Sequence, residues 1–529
     1  MSNPFDLASL AAIIGSLKKN MDILAVSLQN SMGGAPVVQV DQGAANSSAK
    51  DPLIQNQSEV LTFPSSEILV KLTPSAKDLV HSSNPKPDQV GIASLNALNR
   101  AHGVIKFEQV TRRNGTADIF RWYKLTLGNT KKIFSYQEKS ADALDFERVV
   151  NEYKSNNNIE AAEPNYILSA SIIPNDPYYS STGSWGQTYD DLWGMKKINA
   201  SAAWDVTTGS SSIVVADIDT GMDRTHPELA ANVWTNSGEI PNNGVDDDGN
   251  GYVDDYYGWD WVNNDNDPTD DHGHGTHTIG TIAATGNDGI GVTGVTWTSR
   301  IMALKFLDSA GSGYLDNGIK ALQYAADMGA RVSSNSWGGA GTSVAMDDAI
   351  QYEHDKGMVT VVAAGNSNAD ALGSNPASAD GAITVSASDW NDAKASFSNW
   401  GGKIDVAAPG VEILSTRAAV NTMCTSARTV GTDYCHVSGT SMATPHVAGL
   451  AALILAKNPN LTNEEVRQIL RVSAADLGVP GKDSDFGYGR ISASGAVALA
   501  NTHPLTPIIS SPHSRTIPLP LRFAKPSLQ

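Results

Sequence analysis

Cysteine is nearly absent: the 529 residues contain only Cys424 and Cys435. Two thiols close at most one bridge, so no disulfide framework holds the chain together, and a single bridge or two free thiols both stay open. No apolar run reaches the roughly 20 residues that a helical membrane span takes. The most apolar part of the N-terminal stretch, Ala8-Ser9-Leu10-Ala11-Ala12-Ile13-Ile14, has no basic residue just ahead of it and is a poor match to a secretory leader. Basic charge is scarce. Lys and Arg number 37 against 56 Asp and Glu, a formal net charge of -19, which argues against nucleic acid or an anionic membrane surface as the main partner. Between Arg224 and Arg300 there is neither Lys nor Arg, while Asp recurs from Asp246 to Asp271. The zinc-peptidase pattern His-Glu-x-x-His is missing as well, although His272, His274 and His277 lie close together.

What is present is enough apolar material, 41% of residues, for a sizeable core. The length points to two folded domains with tails. Composition divides the chain into an N-terminal segment, mostly linker (1–66), a small α+β domain (67–172), a larger α/β domain (173–500) and a Pro-rich tail (501–529). In the small domain the spacing predicts strands at 68–72, 121–127 and 164–168 and helices at 92–101 and 143–154, a split β-α-β arrangement. From residue 174 onward, strands such as 212–218, 300–305 and 357–364 alternate with helices such as 317–328. That order predicts a mostly parallel sheet covered on both faces, a three-layer α/β fold. Ligands in such sheets bind beyond the C-terminal strand ends.

Four polar motifs fall at those ends. Asp219-Thr220-Gly221 closes a strand, Asp271-His272-Gly273-His274-Gly275-Thr276-His277 leads into a small-residue helix, and Ala363-Ala364-Gly365-Asn366 closes another strand. Gly439-Thr440-Ser441-Met442-Ala443 opens an apolar helix, with Pro445 expected in its early turns. Each alone reads equally well as a turn or a helix cap. Together they supply a hydroxyl nucleophile, a base with suitable pKa, a carboxylate to orient that base, and amide donors for an oxyanion.

These blocks, in the order Asp, His, Ser, resemble the subtilisin-like serine proteases, and Gly487-Tyr488-Gly489-Arg490 resembles the family's closing motif; the likeness runs from about Pro174 to Ala500. The resemblance implies an endopeptidase with Ser441 as nucleophile, His274 as general base, Asp219 as its partner and Asn366 as oxyanion donor. It also implies that residues 67 to about 170 are a ferredoxin-like propeptide, an intramolecular inhibitor released by self-cleavage between about Leu168 and Pro174. Protein or peptide substrates should pair as a strand along Gly311-Ser312-Gly313 and Ser336-Trp337-Gly338. A secreted monomer is expected.

The acidic run has a cation-site order. Asp246, Asp248 and Asn250 offer side-chain oxygens, Gly251 a turn and Tyr252 a carbonyl, as in an EF-hand loop, with Asp254, Asp255 or Asp267 to complete the shell. Tyr257 stands where that loop's bidentate Glu would be, so a solvated acidic loop is the alternative. A second structural calcium site, resembling the family's N-terminal one, is expected at Asp176, Glu228 and Asp288. Two rival functions remain: another serine hydrolase such as an esterase, whose nucleophile pattern Ala443 breaks, and a catalytically inert calcium-dependent binding protein.

Overall fold

The computed structural model describes residues 62–64, 66–82, 84–111, 117–128, 133–135, 141–166 and 172–501. The linker through residue 61, most of the expected cleavage stretch (167–171) and the tail from 502 lie outside the described residues.

The first described part has its own core. Its elements are β1 (Glu67–Leu72), α1 (Ala93–Ala101), β2 (Val104–Gln109), β3 (Trp122–Leu127), α2 (Ala141–Lys154) and β4 (Ile159–Pro164). The sheet order is β2-β3-β1-β4 with antiparallel pairs throughout. The period-2 pattern explains the buried face: Ile68, Val70 and Leu72 from β1 and Tyr123, Leu125 and Leu127 from β3 point inward. Leu95 of α1 and Phe146, Val149, Val150 and Tyr153 of α2 cover them. Of the strand expected at 164–168, residues 167–168 lie outside the described residues; the described strand is Ile159–Pro164, and 165–166 lie beyond it. Its two inward positions are Ile159 and Ala162, too little apolar material to stand out in sequence, while outward Glu160 pairs with Lys71 at 2.6 Å. Ahead of Glu67, Thr62–Pro64 pairs antiparallel with Ile133–Ser135.

Residues 172–501 build a seven-stranded parallel sheet between helical layers. Its strands are β5 (Val214–Asp219), β6 (Gly258–Asp260), β7 (Arg300–Lys305), β8 (Val332–Asn335), β9 (Val359–Ala363), β10 (Ile383–Ser388) and β11 (Ile404–Pro409). The order is β11-β10-β9-β8-β5-β7-β6. Successive side chains feed two cores: Val215 faces the side of α3 (His274–Ala283), whereas Ala216 and Ile218 face α4 (Leu315–Asp327) and α5 (Val344–Asp355). Burial on both faces is why these strands read as continuous apolar runs. A small antiparallel sheet, β12 (Ile413–Thr416), β13 (Thr429–Val430) and β14 (Tyr434–Val437), packs on α3. The chain then enters α6 (Thr440–Lys457), whose residues from Met442 to Leu455 are all buried, followed by α7 (Asn463–Val472) and α8 (Ala493–Leu499). Pro445 lies past the first turn of α6, so the Ser441 carbonyl lacks an i+4 N–H donor.

Strand order reverses at β5, whose neighbours β8 and β7 come later in the chain and lead in opposite directions. A crevice at the carboxyl end of β5 is therefore where such a sheet binds ligands.

Candidate active site

Asp219 ends β5 at that reversal, fully buried, and its Oδ1 accepts from His274 Nδ1 at 2.7 Å. The same oxygen accepts from Thr220 N at 2.7 Å. His274 is the first residue of α3, and its side chain keeps 17% of its surface exposed. Its helix can start against β5 because residue 275 is glycine: a Cβ there would lie 2.2 Å from the Gly221 carbonyl oxygen. Burial lowers the His274 pKa, but the charge and hydrogen bond of Asp219 outweigh it, and the imidazole stands above its ordinary value.

Ser441 sits in the first turn of α6 and is partly exposed. Its hydroxyl donates to the Ser336 carbonyl oxygen at 2.8 Å. Ser334 of β8 pairs with Asp217 of the neighbouring β5, the last pair of that ladder; Ser336 and Asp219 each follow it by two residues. Asp219, which holds the imidazole, and Ser336, which holds the hydroxyl, therefore lie at or just past the ends of adjoining strands. Asn366, beyond the end of β9, has its Oδ1 held by Thr440 N and Thr440 Oγ1, each at 2.8 Å. Its Nδ2 and the Ser441 backbone N both lie 3.6 Å from where a Cβ on Gly439 would sit, so both nitrogens border that position. A helix's first-turn N–H groups have no intrahelical acceptor, which leaves the Ser441 N–H available there.

Of the residues expected to hold substrate, Gly311, Ser312, Gly313 and Gly338 are exposed, Trp337 is half-buried and Ser336 is buried. Asp308 Oδ1 organises the first group by accepting from Ala310 N at 2.9 Å and Ser312 N at 3.0 Å. Gly339–Ala340 continues the second group and pairs with Ser374–Asn375. Trp337 packs edge-on against Phe306, ring centroids 4.8 Å apart.

The three clustered histidines diverge. His272 lies against Gly311, where a Cβ would be 3.3 Å from its Nε2. His277 is buried with Nε2 at 3.1 Å from the carbonyl oxygens of both Ile413 and Cys435, and burial, with His274 nearby, pushes it down to about 3.

The acidic groups form two clusters that can hold a metal ion. One joins Asp176, Glu228 and Asp288. Asp176 Oδ1 and Glu228 Oε2 are buried there without a hydrogen-bond donor. Burial raises Asp176 to about 6 and Glu228 to about 8, with neighbouring carboxylates adding to it. Such orphaned oxygens fit a cation. The other joins Asp248 and Asp255 with Glu239, which the EF-hand spacing does not include. Asp246 instead accepts from Gly249, Asn250 and Gly251 N–H groups of its own loop. Asn250 donates to Asp255 Oδ2 at 2.8 Å, and the Tyr252 ring packs against Trp259, Trp261 and Tyr324.

Several supporting residues carried no signal in the sequence. Asp270 accepts from Thr220 Oγ1 (2.9 Å), Gly273 N (2.7 Å) and Thr276 N (2.8 Å), tying the end of β5 to the start of α3. Lys305, 1% exposed, donates to the carbonyls of Thr220 and Leu307, each at 2.9 Å. In sequence, Asp270 belongs to a solvated-looking acidic run and Lys305 to the end of an apolar strand; burial of either is visible only in the fold.

A parallel sheet with a carboxylate–imidazole pair and a helix-start hydroxyl at its reversal point has the architecture of a serine hydrolase. A family model described as the subtilase family matches residues 210–489. The thermophilic serine proteinase of Bacillus sp. (strain AK1) is 40% identical over 351 residues, covering 66% of this chain and 76% of that protein. Thermitase of Thermoactinomyces vulgaris is 36% identical over 324 residues, 61% of this chain and 99% of the relative. A solved structure titled as proteases from Pseudoalteromonas arctica PAMC 21717 aligns with a TM-score of 0.50 and 31% identity, covering 62% of this chain and 99% of that one. The chain belongs to the subtilase family and is a subtilisin-like serine endopeptidase. Among the described residues no helix is long and apolar enough to cross a membrane.

Proposed function

We propose that Ser441 attacks the scissile carbonyl of a protein substrate, with His274 taking the hydroxyl proton at Nε2 and Asp219 holding the imidazole tautomer. The observation that carries this reading is the 2.7 Å contact between His274 Nδ1 and the buried Asp219 Oδ1, a base oriented by a carboxylate. A carboxylate only accepts, so Nδ1 carries the proton and Nε2 has the free lone pair a base needs. The Ser441 proton, now given to the Ser336 carbonyl, turns to His274 when a substrate strand claims that carbonyl. Asn366 Nδ2 and Ser441 N then stabilise the oxyanion. His274 returns the proton to the leaving amine, and water repeats the sequence on the acyl-enzyme.

Substrate chains run between 311–313 and 336–338, bonded mainly through backbone groups, which favours broad sequence tolerance. Residues 67–166, with a core separate from that of 172–501, serve as an inhibitory propeptide removed by self-cleavage at about 168–174. Calcium is held by Asp176, Glu228 and Asp288, and a second ion by Glu239, Asp248 and Asp255. Bound there, it supplies positive charge to oxygens that otherwise repel one another. The mature enzyme acts outside the cell as a monomer.

Ser441→Ala is the test. It should leave the precursor uncleaved and lower kcat by about 10⁶, the loss that removing the nucleophile causes in subtilisin. Efficient self-processing by that variant would sink the assignment.

A further inference from the structure

Residues 421–424 form a strap on the two residues that precede His274. Thr422 N and Met423 N both donate to the His272 carbonyl oxygen, at 3.0 and 3.1 Å. Thr422 Oγ1 reaches the Ser309 carbonyl at 3.2 Å. Asn421 accepts from Cys424 N at 2.6 Å through Oδ1, and its amide covers Gly273 so closely that a Cβ there would lie 2.1 Å from Asn421 Nδ2. From the opposite side, Asp270 accepts from the N–H groups of His272 and Gly273, at 3.0 and 2.7 Å. The turn that launches α3 is thus clamped between Asp270 and the strap.

The strap is tied down by a disulfide between Cys424 and Cys435. Residues 425–428 and 431–433, between the two cysteines, are exposed; Thr429–Val430 between them pairs with β14, and His436 N donates to the Arg428 carbonyl at 3.0 Å. Cys435 belongs to β14, and its carbonyl accepts from His277 in the same helix as His274. Both cysteines also pack in one cluster with Met442, the neighbour of Ser441. The bridge therefore lies between the start of α3 and the start of α6.

We infer that the Cys424–Cys435 bridge is a positioning element for His274: by holding the strap on the 272–273 turn it keeps the base in line, so its loss slows the chemical step rather than weakening substrate binding. This rests on His274 being the base. A dithiol reductant reproduces the loss, since it breaks the S–S bond, leaves two thiols and closes to its own disulfide.

The test compares the parent, Cys424→Ser/Cys435→Ser and Asn421→Ala, each as full chain allowed to process. Ser441 is titrated with a fluorophosphonate, and kcat per titrated site and KM for a short peptide anilide are measured well below each variant's Tm. Misplacing a base by about 1 Å costs up to ~10²-fold, so kcat should fall roughly 10- to 100-fold in the double variant. KM should stay within about 2-fold, since binding is unaffected. Asn421→Ala should fall less, in the same direction, and parent treated with a dithiol should match the double variant. Unchanged kcat in a folded double variant overturns the inference; so does a rise in KM at constant kcat. Should the double variant not fold, unchanged kcat in Asn421→Ala overturns it instead. A parent that the fluorophosphonate does not label would refute the reading of Ser441 and His274 themselves, a separate failure.

Discussion

Replacing Asn366 by Asp separates two jobs that one side chain performs. Its Oδ1 accepts from Thr440 N and Oγ1, both at 2.8 Å, and anchors the strand end to α6; its Nδ2 faces Gly439 and the Ser441 N–H. Asp keeps the acceptor and loses the donor. Removing one such donor costs about 2.7–4 kcal/mol of transition-state stabilisation in subtilisin. A carboxylate at 366 adds repulsion toward the oxyanion. Because residue 366 is exposed, the repulsion should be near the ~1 kcal/mol of two charges 4 Å apart in water, not the ~4 kcal/mol of a partly shielded site. The sum, about 3.7–5 kcal/mol, corresponds to a loss of kcat of roughly 500- to 5,000-fold. Asn366→Leu should lose a similar rate from the missing donor, and in addition two hydrogen bonds worth about 0.5–1.5 kcal/mol each in stability. The assay is kcat per titrated site and KM with a short peptide anilide, beside thermal melts of both variants. An Asp variant within about 3-fold of parent kcat, or one whose KM rises at constant kcat, would refute the assignment of Asn366 to the oxyanion.

Asp219→Asn should reduce kcat by about 10⁴, as the equivalent change does in trypsin. A general base works only when neutral, so activity falls as pH drops through the His274 pKa. Burial lowers that pKa and Asp219 more than restores it; without the Asp219 charge, the acid limb of kcat/KM should move to lower pH, and a fixed limb would contradict the pairing. For the Asp176–Glu228 cluster, the folded-state pKa values of about 6 and 8 lie above those of the unfolded chain. Metal-free protein then binds more protons folded than unfolded, so this contribution to stability is present in full below the unfolded carboxylate range and is lost as pH rises toward 8. Calcium removes that loss, and its stabilisation, about 2.7 kcal/mol at 100 times Kd, should grow from pH 5 to pH 8. Melts in excess EDTA and in excess calcium across that range check it; identical curves would exclude an ion there.

The motifs around Asp219, His274, Asn366 and Ser441 were legible because reactive side chains at strand ends and helix starts are local events. Turn glycines, apolar strand runs and a small-residue helix sit within a few residues of each, and parallel strands buried on both faces announce themselves as unbroken apolar stretches. The acidic loop shows where local reading stops. Asp246, Asp248 and Asn250 have ligand spacing, yet Asp246 closes its own turn, and Glu239 joins Asp248 and Asp255 across the loop. Spacing records distance along the chain, whereas a cation site depends on which oxygens a turn aims at one point.

The same division runs through the strap. Nothing in Asn421-Thr422-Met423-Cys424 marks it as a neighbour of His272, some 150 positions earlier. Chemistry at single positions is written in residue identity, so candidates for nucleophile, base and carboxylate can be proposed from the chain alone. Convergence is a property of the sheet. The reversal at β5, the pairing of β8 with β5, the hold of the Ser336 carbonyl on the Ser441 hydroxyl, and the burial of Asp270 and Lys305 arise from long-range packing, which no single motif records.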